Sequence, residues 1–319
     1  MKLIRKIFVK ILFKVLLAAL SLAILAVGVL NVAKFAIYPE YYFIKGNVCK
    51  NPGLGDGFVC QGIAASEEND VILVSGYMKN HSASRIYVTD MNNESRYVSL
   101  KQGGEDFTGH AGGIATTGGM LYIASEGQIF SVPMDAILNA KSGDELDIGD
   151  GPAVNNQADF AYTDDTYLYV GEFHDGEKYN IEGHENETAE GTHYAICTVY
   201  ALSDLTTPVK VYSIRNKVQG ICFTPDGKVV MSTSYGLNDS VYYVYHLDQA
   251  TDSGKTLDGA PLYYLDQLQK EVKGPAMSEG LDYRNGKVIT LTESASNKYL
   301  FGKLFFANKI VELDFDKIK

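Results

Sequence analysis

The chain has 319 residues, 46% of them apolar and 21% charged, and no Trp. That is room for one large folded unit, and it is not the composition of a disordered or collagen-like chain. The net charge is -11, and five of the 28 basic residues lie in the first fourteen positions, so the remainder carries 23 basic against 39 acidic groups. Such a body repels phosphate backbones, which excludes nucleic acid as a partner class.

Lys2, Arg5, Lys6, Lys10 and Lys14 lead into VLLAALSLAILAVGVLNVA, residues 15–33, which carries no charge. As a helix this run is roughly 28 Å long, close to the hydrocarbon thickness of a bilayer. We read 1–14 as a basic cytoplasmic segment and 15–36 as a single transmembrane signal-anchor helix. All five cations precede the span, so the N-terminus is expected in the cytoplasm and residues 40–319 outside it. The alternative is secretion after signal cleavage, but the apolar run exceeds the roughly 7–15 residues of a signal core, and no A-x-A site follows. YPEYYF, just beyond, suits an interfacial aromatic belt.

A body outside the cytoplasm permits disulfides. Cys49 and Cys60 bracket a Gly/Pro-rich loop and are the expected pair. Cys197 and Cys222 sit in apolar strand-like runs and are expected as buried thiols.

One pattern then recurs. It reads QGIAASEENDVILVSGY (61–77), HAGGIATTGGMLYIASEG (110–127), QADFAYTDDTYLYVGEF (157–173), QGICFTPDGKVVMSTSYG (219–236) and EGLDYRNGKVITLTESAS (279–296). Each copy has a polar start, a short strand, a turn and a second strand. PDGK and RNGK are hairpin turns of the Asp-Gly and Asn-Gly type. The apolar markers Ile63, Ile114, Phe160, Ile221 and Leu281 are spaced 51, 46, 61 and 60 residues apart. Antiparallel strands at that period predict an all-β fold, a single β-propeller of five blades, with six as the alternative. SRIYVTD and SRYVSL complete the first blade, and HYAICTVYAL and PVKVYSI the third. SVYYVYHLD and APLYYLD complete the fourth. The last copy is followed by NKIVELDF alone, so EYYFIKG (40–46) is expected to supply its missing strand and close the ring. PMDAILNA (133–140) is expected to form a short helical turn. Glycines at the strand starts are expected to be steric, where strands crowd the axis.

The starts of the first strands and the ends of the second strands share one face of a propeller. The starts carry Gln61, His110, Gln157, Gln219 and Glu279; the ends carry Ser75, Glu126, Glu172, Ser234 and Glu293. Gln61, His110, Gln157, Gln219, Glu279, Glu126, Glu172 and Glu293 are the candidate ligand-binding set. They suit a polar small molecule, a glycan or a protein partner, with Tyr77, Tyr235 and Tyr299 nearby. A metal reading uses Glu279, His110 and Glu293, and oxygen donors favour Ca2+ over zinc. No cofactor is otherwise indicated, and no catalytic residue is assigned. There is no G-x-S-x-G and no P-loop. HDGEKYNIEGHENETAEGTH (174–193) overhangs this face with His174, His184 and His193. It reads as a solvated acidic loop before it reads as a cation site. ESASNKYLFGKLFFANK (293–309) carries Lys298 and Lys303 among Tyr299, Phe301, Phe305 and Phe306. Such a loop is expected to be packed down or to serve as a contact surface.

QGI, GHAGGI and EGLDYRNGKV resemble the inner-strand starts of secreted propellers of the SMP-30/gluconolactonase, strictosidine-synthase-like, NHL and quinoprotein-like groups. The resemblance is architectural. Its lactonase members imply six blades and a central calcium held by Glu and Asn/Asp. The expectation is a membrane-anchored extracytoplasmic propeller that binds a polar ligand or protein partner at the channel mouth. The alternative is a calcium-type metal-dependent hydrolase or lactonase.

Overall fold

The computed structural model describes residues 2–176, 179, 181–302 and 307–318. Helix α1 (Lys2–Ile37) comes first. It is long and apolar enough to cross a membrane, and the body covers none of its most apolar stretch. Helix α2 (Pro39–Ile44) follows at once.

The body is a ring of five blades. Their inner strands are Phe58–Ser66, Gly113–Thr117, Phe160–Thr163, Val218–Phe223 and Ser278–Arg284, for blades 1 to 5. Each inner strand packs on the next, and the fifth packs on the first. Glycine makes this approach feasible. A Cβ on Gly113 would lie 2.1 Å from Ala161 N, one on Gly220 2.6 Å from Leu281 N, and one on Gly280 2.9 Å from Gln61 O. The second strands are buried on both faces, as in VILVSG (71–76) and VVMST (229–233). Blades stack on either side of them, which is why they read as unbroken apolar runs.

The outer strands depart from the simple repeat. Blade 1 adds Val71–Met78, Arg85–Asp90 and Ser95–Gln102, and then borrows Asp144–Asp147 as a parallel edge. Blade 2 has only Met120–Ser125 and Gln128–Pro133 beyond its inner strand, followed by helix α3 (Met134–Leu138) where a helical turn was expected. Blade 3 adds Tyr167–Gly171, Ala195–Ala201 and Asp204–Ile214. APLYYLD does not complete blade 4. Ala260–Tyr264 pairs in parallel with Asp204–Ile214 of blade 3 and carries Thr251–Leu257 with it. Lys270–Gly274 takes the outer place in blade 4, beside Ser240–His246.

Blade 5 closes the ring with a strand from the N-terminal side. That strand is Lys45–Lys50, antiparallel to Lys309–Leu313, rather than 40–46. The residues before it are helical because Pro39 opens a turn that buries Tyr41 and Ile44, three apart on one face. Tyr41 stacks on Tyr242, with ring centroids 6.0 Å apart.

All four cysteines are buried and free. The expected Cys49–Cys60 bridge is therefore not formed. Cys60 Sγ donates to the Thr292 carbonyl at 3.4 Å and receives the Asn51 amide at 3.2 Å, so Asn51 reaches it where Cys49 was expected. Burial pushes the Cys60 thiol well up and Cys49 up to about 11. Cys197 and Cys222 are the buried thiols expected of them.

Candidate functional site

Strand register fixes which side chains meet at the mouth. Ile63 lies opposite Val74, Ile114 opposite Ile123, Phe160 opposite Gly171, Ile221 opposite Met231 and Leu281 opposite Thr290. Two residues before the inner markers stand Gln61, Gly112, Ala158, Gln219 and Glu279. Three residues after their partners stand Tyr77, Glu126, His174, Ser234 and Glu293. His110 and Gln157 therefore do not occupy the ring position assigned to them. Ala111 and Ala158 turn the chain through left-handed conformations, φ +46° and +53°, and leave both side chains exposed at the rim. Ser75 and Glu172 also fall outside the register. Ser75 is buried and donates to Ala111 O at 2.7 Å.

The densest polar group lies over blades 1, 2 and 5. Glu279 is 3% exposed at the start of the fifth inner strand. Glu293 ends the neighbouring strand and accepts from Gln61 Nε2 at 3.1 Å. Tyr299 also hydrogen-bonds Glu293. Lys298 donates to the Tyr77 hydroxyl, and its Nζ lies 4.5 Å from the Tyr77 ring centroid and 5.0 Å from that of Tyr299. His110 also packs on Tyr77, with ring centroids 4.7 Å apart. The loop that carries Lys298 is pinned to blade 1. Ser296 Oγ donates to Phe58 O at 2.7 Å, and Asn297 Nδ2 to Gly55 O at 2.6 Å. Its start is packed down, as one of its two expected roles requires, but Leu300 and Phe301 stay exposed; Lys303, Phe305 and Phe306 lie outside the described residues.

Electrostatics sets the character of this group. Burial raises the Glu279 carboxyl well above its usual range, and the charge of Glu293 raises it further. Burial lifts Glu293 to about 7, against hydrogen bonds from Tyr299 and Gln61 and the charge of Lys298. Both carboxyls are thus pushed toward their neutral forms, Glu279 by burial and by its neighbour's charge and Glu293 by burial. Partial desolvation of the His110 ring, which packs on Tyr77, lowers its pKa, and Glu126 opposes that shift.

A stability effect follows. A carboxyl whose folded pKa exceeds its unfolded value binds more protons when folded. Its contribution is complete below the unfolded pKa and is lost as pH rises through the folded one. Unfolding free energy is therefore expected to fall between about pH 4.5 and 7, by on the order of 2–3 kcal/mol from Glu293. Asp159 (about 6) and Asp282 (about 7) act in the same direction. Thermal melts across this range should fall less steeply in Glu293→Gln; an equal slope would remove the pair as the cause.

The group does not fit calcium. Among the described residues, no three His, Cys, Asp or Glu side chains converge on a metal-sized centre. Calcium takes about six to eight oxygens. Here the chain supplies its own cation, Lys298, beside both carboxyls, where it opposes a second positive charge. Glu279, His110 and Glu293 thus meet around Tyr77 and Lys298 without forming a metal set.

The remaining candidates lie apart. Gln219 Nε2 donates to Ser234 Oγ at 3.4 Å on blade 4. Glu172, buried on blade 3, bonds His184 Nδ1 at 2.6 Å and receives Ile196 N–H at 3.0 Å. Its Oε1 thereby fastens the 174–193 insertion, while Oε2 is buried with no partner among the described residues. Within that insertion Glu182, Glu185 and Glu187 are exposed, as a solvated acidic loop requires, but His174, His184 and His193 are buried beneath it. Sequence reasoning missed Asp159. Blade 3 has Asp where the other blades have Gly62, Gly113, Gly220 and Gly280, and that exception was readable. Asp159 accepts Phe173 N–H at 2.7 Å.

A cavity of about 1000 Å3 opens at the other end of the axis. Its buried carboxyl, Asp282, is already committed. It accepts Ala65 N–H at 2.6 Å and Tyr283 N–H at 2.8 Å, which stitches blade 5 to blade 1.

No protein-family model matches the chain, and no curated protein matches it. Solved structures do match. The PQQ-bound aldose sugar dehydrogenase of Streptomyces coelicolor is 16% identical at a TM-score of 0.44, over 77% of this chain and 76% of that one. A protein described as a gluconolactonase is 10% identical at 0.41, over 84% and 91%. A hydrazine synthase chain of Kuenenia stuttgartiensis is 10% identical at 0.38, over 73% of this chain. This chain spans 55% of that one, about half its length. The chain is a five-bladed β-propeller. The likeness is one of fold, and at these identities no ligand or activity carries across to the propeller.

Proposed function

We propose that this is a membrane-anchored propeller, its body outside the cytoplasm, whose mouth over blades 1, 2 and 5 binds a small polar ligand. The observation that carries this reading is the convergence of Glu279, Glu293, Gln61 and Lys298 beside the rings of Tyr77, Tyr299 and His110. A protonated carboxyl and an ammonium donate, while an ionised carboxyl and an amide oxygen accept. Aromatic rings cover the apolar face of a hydroxyl-rich molecule such as a sugar or sugar acid. The five early cations support the orientation.

The test is a thermal shift of the full chain in detergent with D-glucose, D-gluconate or glucono-δ-lactone. A ligand that binds only the native state raises the Tm. The shift is expected to vanish in Glu279→Gln and Glu293→Gln. A shift that survives both variants would place the site elsewhere. Neither calcium nor EDTA is expected to move the Tm; a calcium shift would restore the metal-dependent hydrolase.

One observation favours a second reading, hydrolysis of an ester or lactone without a metal. Glu293 titrates at about 7, where a carboxylate serves as a general base for water. Lactone turnover lost in Glu293→Gln, with binding retained, would select it.

A further inference from the structure

Eight large apolar or aromatic side chains are exposed outside α1 and α2 among the described residues, and six of them lie on one face. Tyr179 lies in the insertion of blade 3, and Tyr194 directly follows it. Tyr235 and Leu237 follow the second strand of blade 4, and Leu300 and Phe301 that of blade 5. This is the mouth face. Leu300 is 79% exposed and Phe301 64%.

Helix α1 ends at the same place. The Tyr38 hydroxyl donates to Asp239 Oδ1 at 2.7 Å, and Asp239 belongs to the loop that exposes Leu237. The Phe35 ring meets Tyr42 at 4.3 Å, which fixes the elbow between α1 and α2. The uncharged run ends at Ala33. From there to Tyr38 is five residues of helix, about 8 Å. A headgroup layer is roughly 5–8 Å thick on each side. A span through 15–33 therefore leaves the Tyr38–Asp239 clasp no deeper in water than the headgroups.

We propose that the blade 4 and 5 side of the mouth face docks on the bilayer that α1 crosses, with Leu237, Leu300 and Phe301 at the interfacial level. The inference rests on α1 being a membrane span. The acidic body gains nothing from anionic lipid, so contact is apolar and a zwitterionic surface suffices. A ligand of the mouth would then arrive from the interfacial layer, as an amphiphile with a polar head.

The chain has no Trp, so single substitutions report without background. Leu22→Trp, Leu237→Trp, Phe301→Trp and Met91→Trp are made in the full chain and placed in vesicles of brominated phosphatidylcholine. Met91 is exposed on the turn between the outer strands of blade 1, at the opposite face. The expected result is strong quenching at 22, quenching at 237 and 301 of at least about half that size, and none at 91. Quenching at 22 without quenching at 237 and 301 overturns the docking and leaves the anchor. Equal quenching at 91 and 301 overturns the orientation. No quenching at 22 overturns the anchor and the docking together, and leaves the ligand test of the mouth untouched.

Discussion

Gly113→Ala is expected to destabilise the propeller by about 3 kcal/mol or more, while Gly55→Ala is expected to change almost nothing. Both substitutions remove the same backbone freedom from the unfolded chain, so that term cancels between them. The difference lies in the folded state. At Gly113 the new Cβ would sit 2.1 Å from Ala161 N and 2.4 Å from the carbonyl carbon of Phe160. These are backbone atoms of blade 3 and cannot swing aside. Blades 2 and 3 would have to separate, and the ring passes that displacement to the other three. At Gly55 nothing lies within 4 Å of the new carbon. Chemical denaturation of the two variants gives the comparison. Equal stabilities would mean that the inner strands are not held at this spacing.

Tyr41→Ala should cost about 3–5 kcal/mol, the usual range for truncating a fully buried aromatic, and should lower the Tm by roughly 6–15 °C. Tyr41 is 1% exposed, stacked on Tyr242 of blade 4 and set edge-on to Tyr42. It lies one residue after Glu40, which pairs with Lys270 at 2.9 Å. Helix α2 thus fastens the N-terminal segment to blade 4 before that segment closes blade 5. Losing the ring loosens both attachments. The partial charge pair at Glu40 and Lys270 is exposed and contributes little by comparison. A loss below about 1 kcal/mol would show that the closing strand holds without α2.

The propeller was legible because its signal repeats. Five copies of strand, turn and strand fix the inner two layers of every blade, and the glycines mark where inner strands crowd. What failed were steps that depend on contacts far apart in sequence. APLYYLD has the pattern of an outer strand, but nothing local says that it will pair with blade 3 and leave Lys270–Gly274 to finish blade 4. The helical start of 39–44 was readable from Pro39 and the Tyr41/Ile44 spacing, and the aromatic β-propensity of YYFI obscured it.

The site was legible in part for a similar reason. Gln61, Glu279, Glu126 and Glu293 follow from the repeat and stand in register. His110 and Gln157 were displaced by left-handed alanines, a conformation that sequence normally advertises with Gly or Asn. Tyr77 and Lys298 became central only through the packing of the 293–302 loop against blade 1. Cys49 and Cys60 looked like a staple for a loop that the ring closure already holds.

The central claim is that the mouth keeps a proton at neutral pH on the Glu279–Glu293 pair. Its most direct test is a titration of the glutamate carboxyls by carbon-13 NMR, in the full chain and in Glu293→Gln. The account predicts a resonance that titrates near 7 and disappears in the variant. Two carboxyls at this mouth both ionised below about pH 5, as ordinary exposed glutamates are, would contradict it.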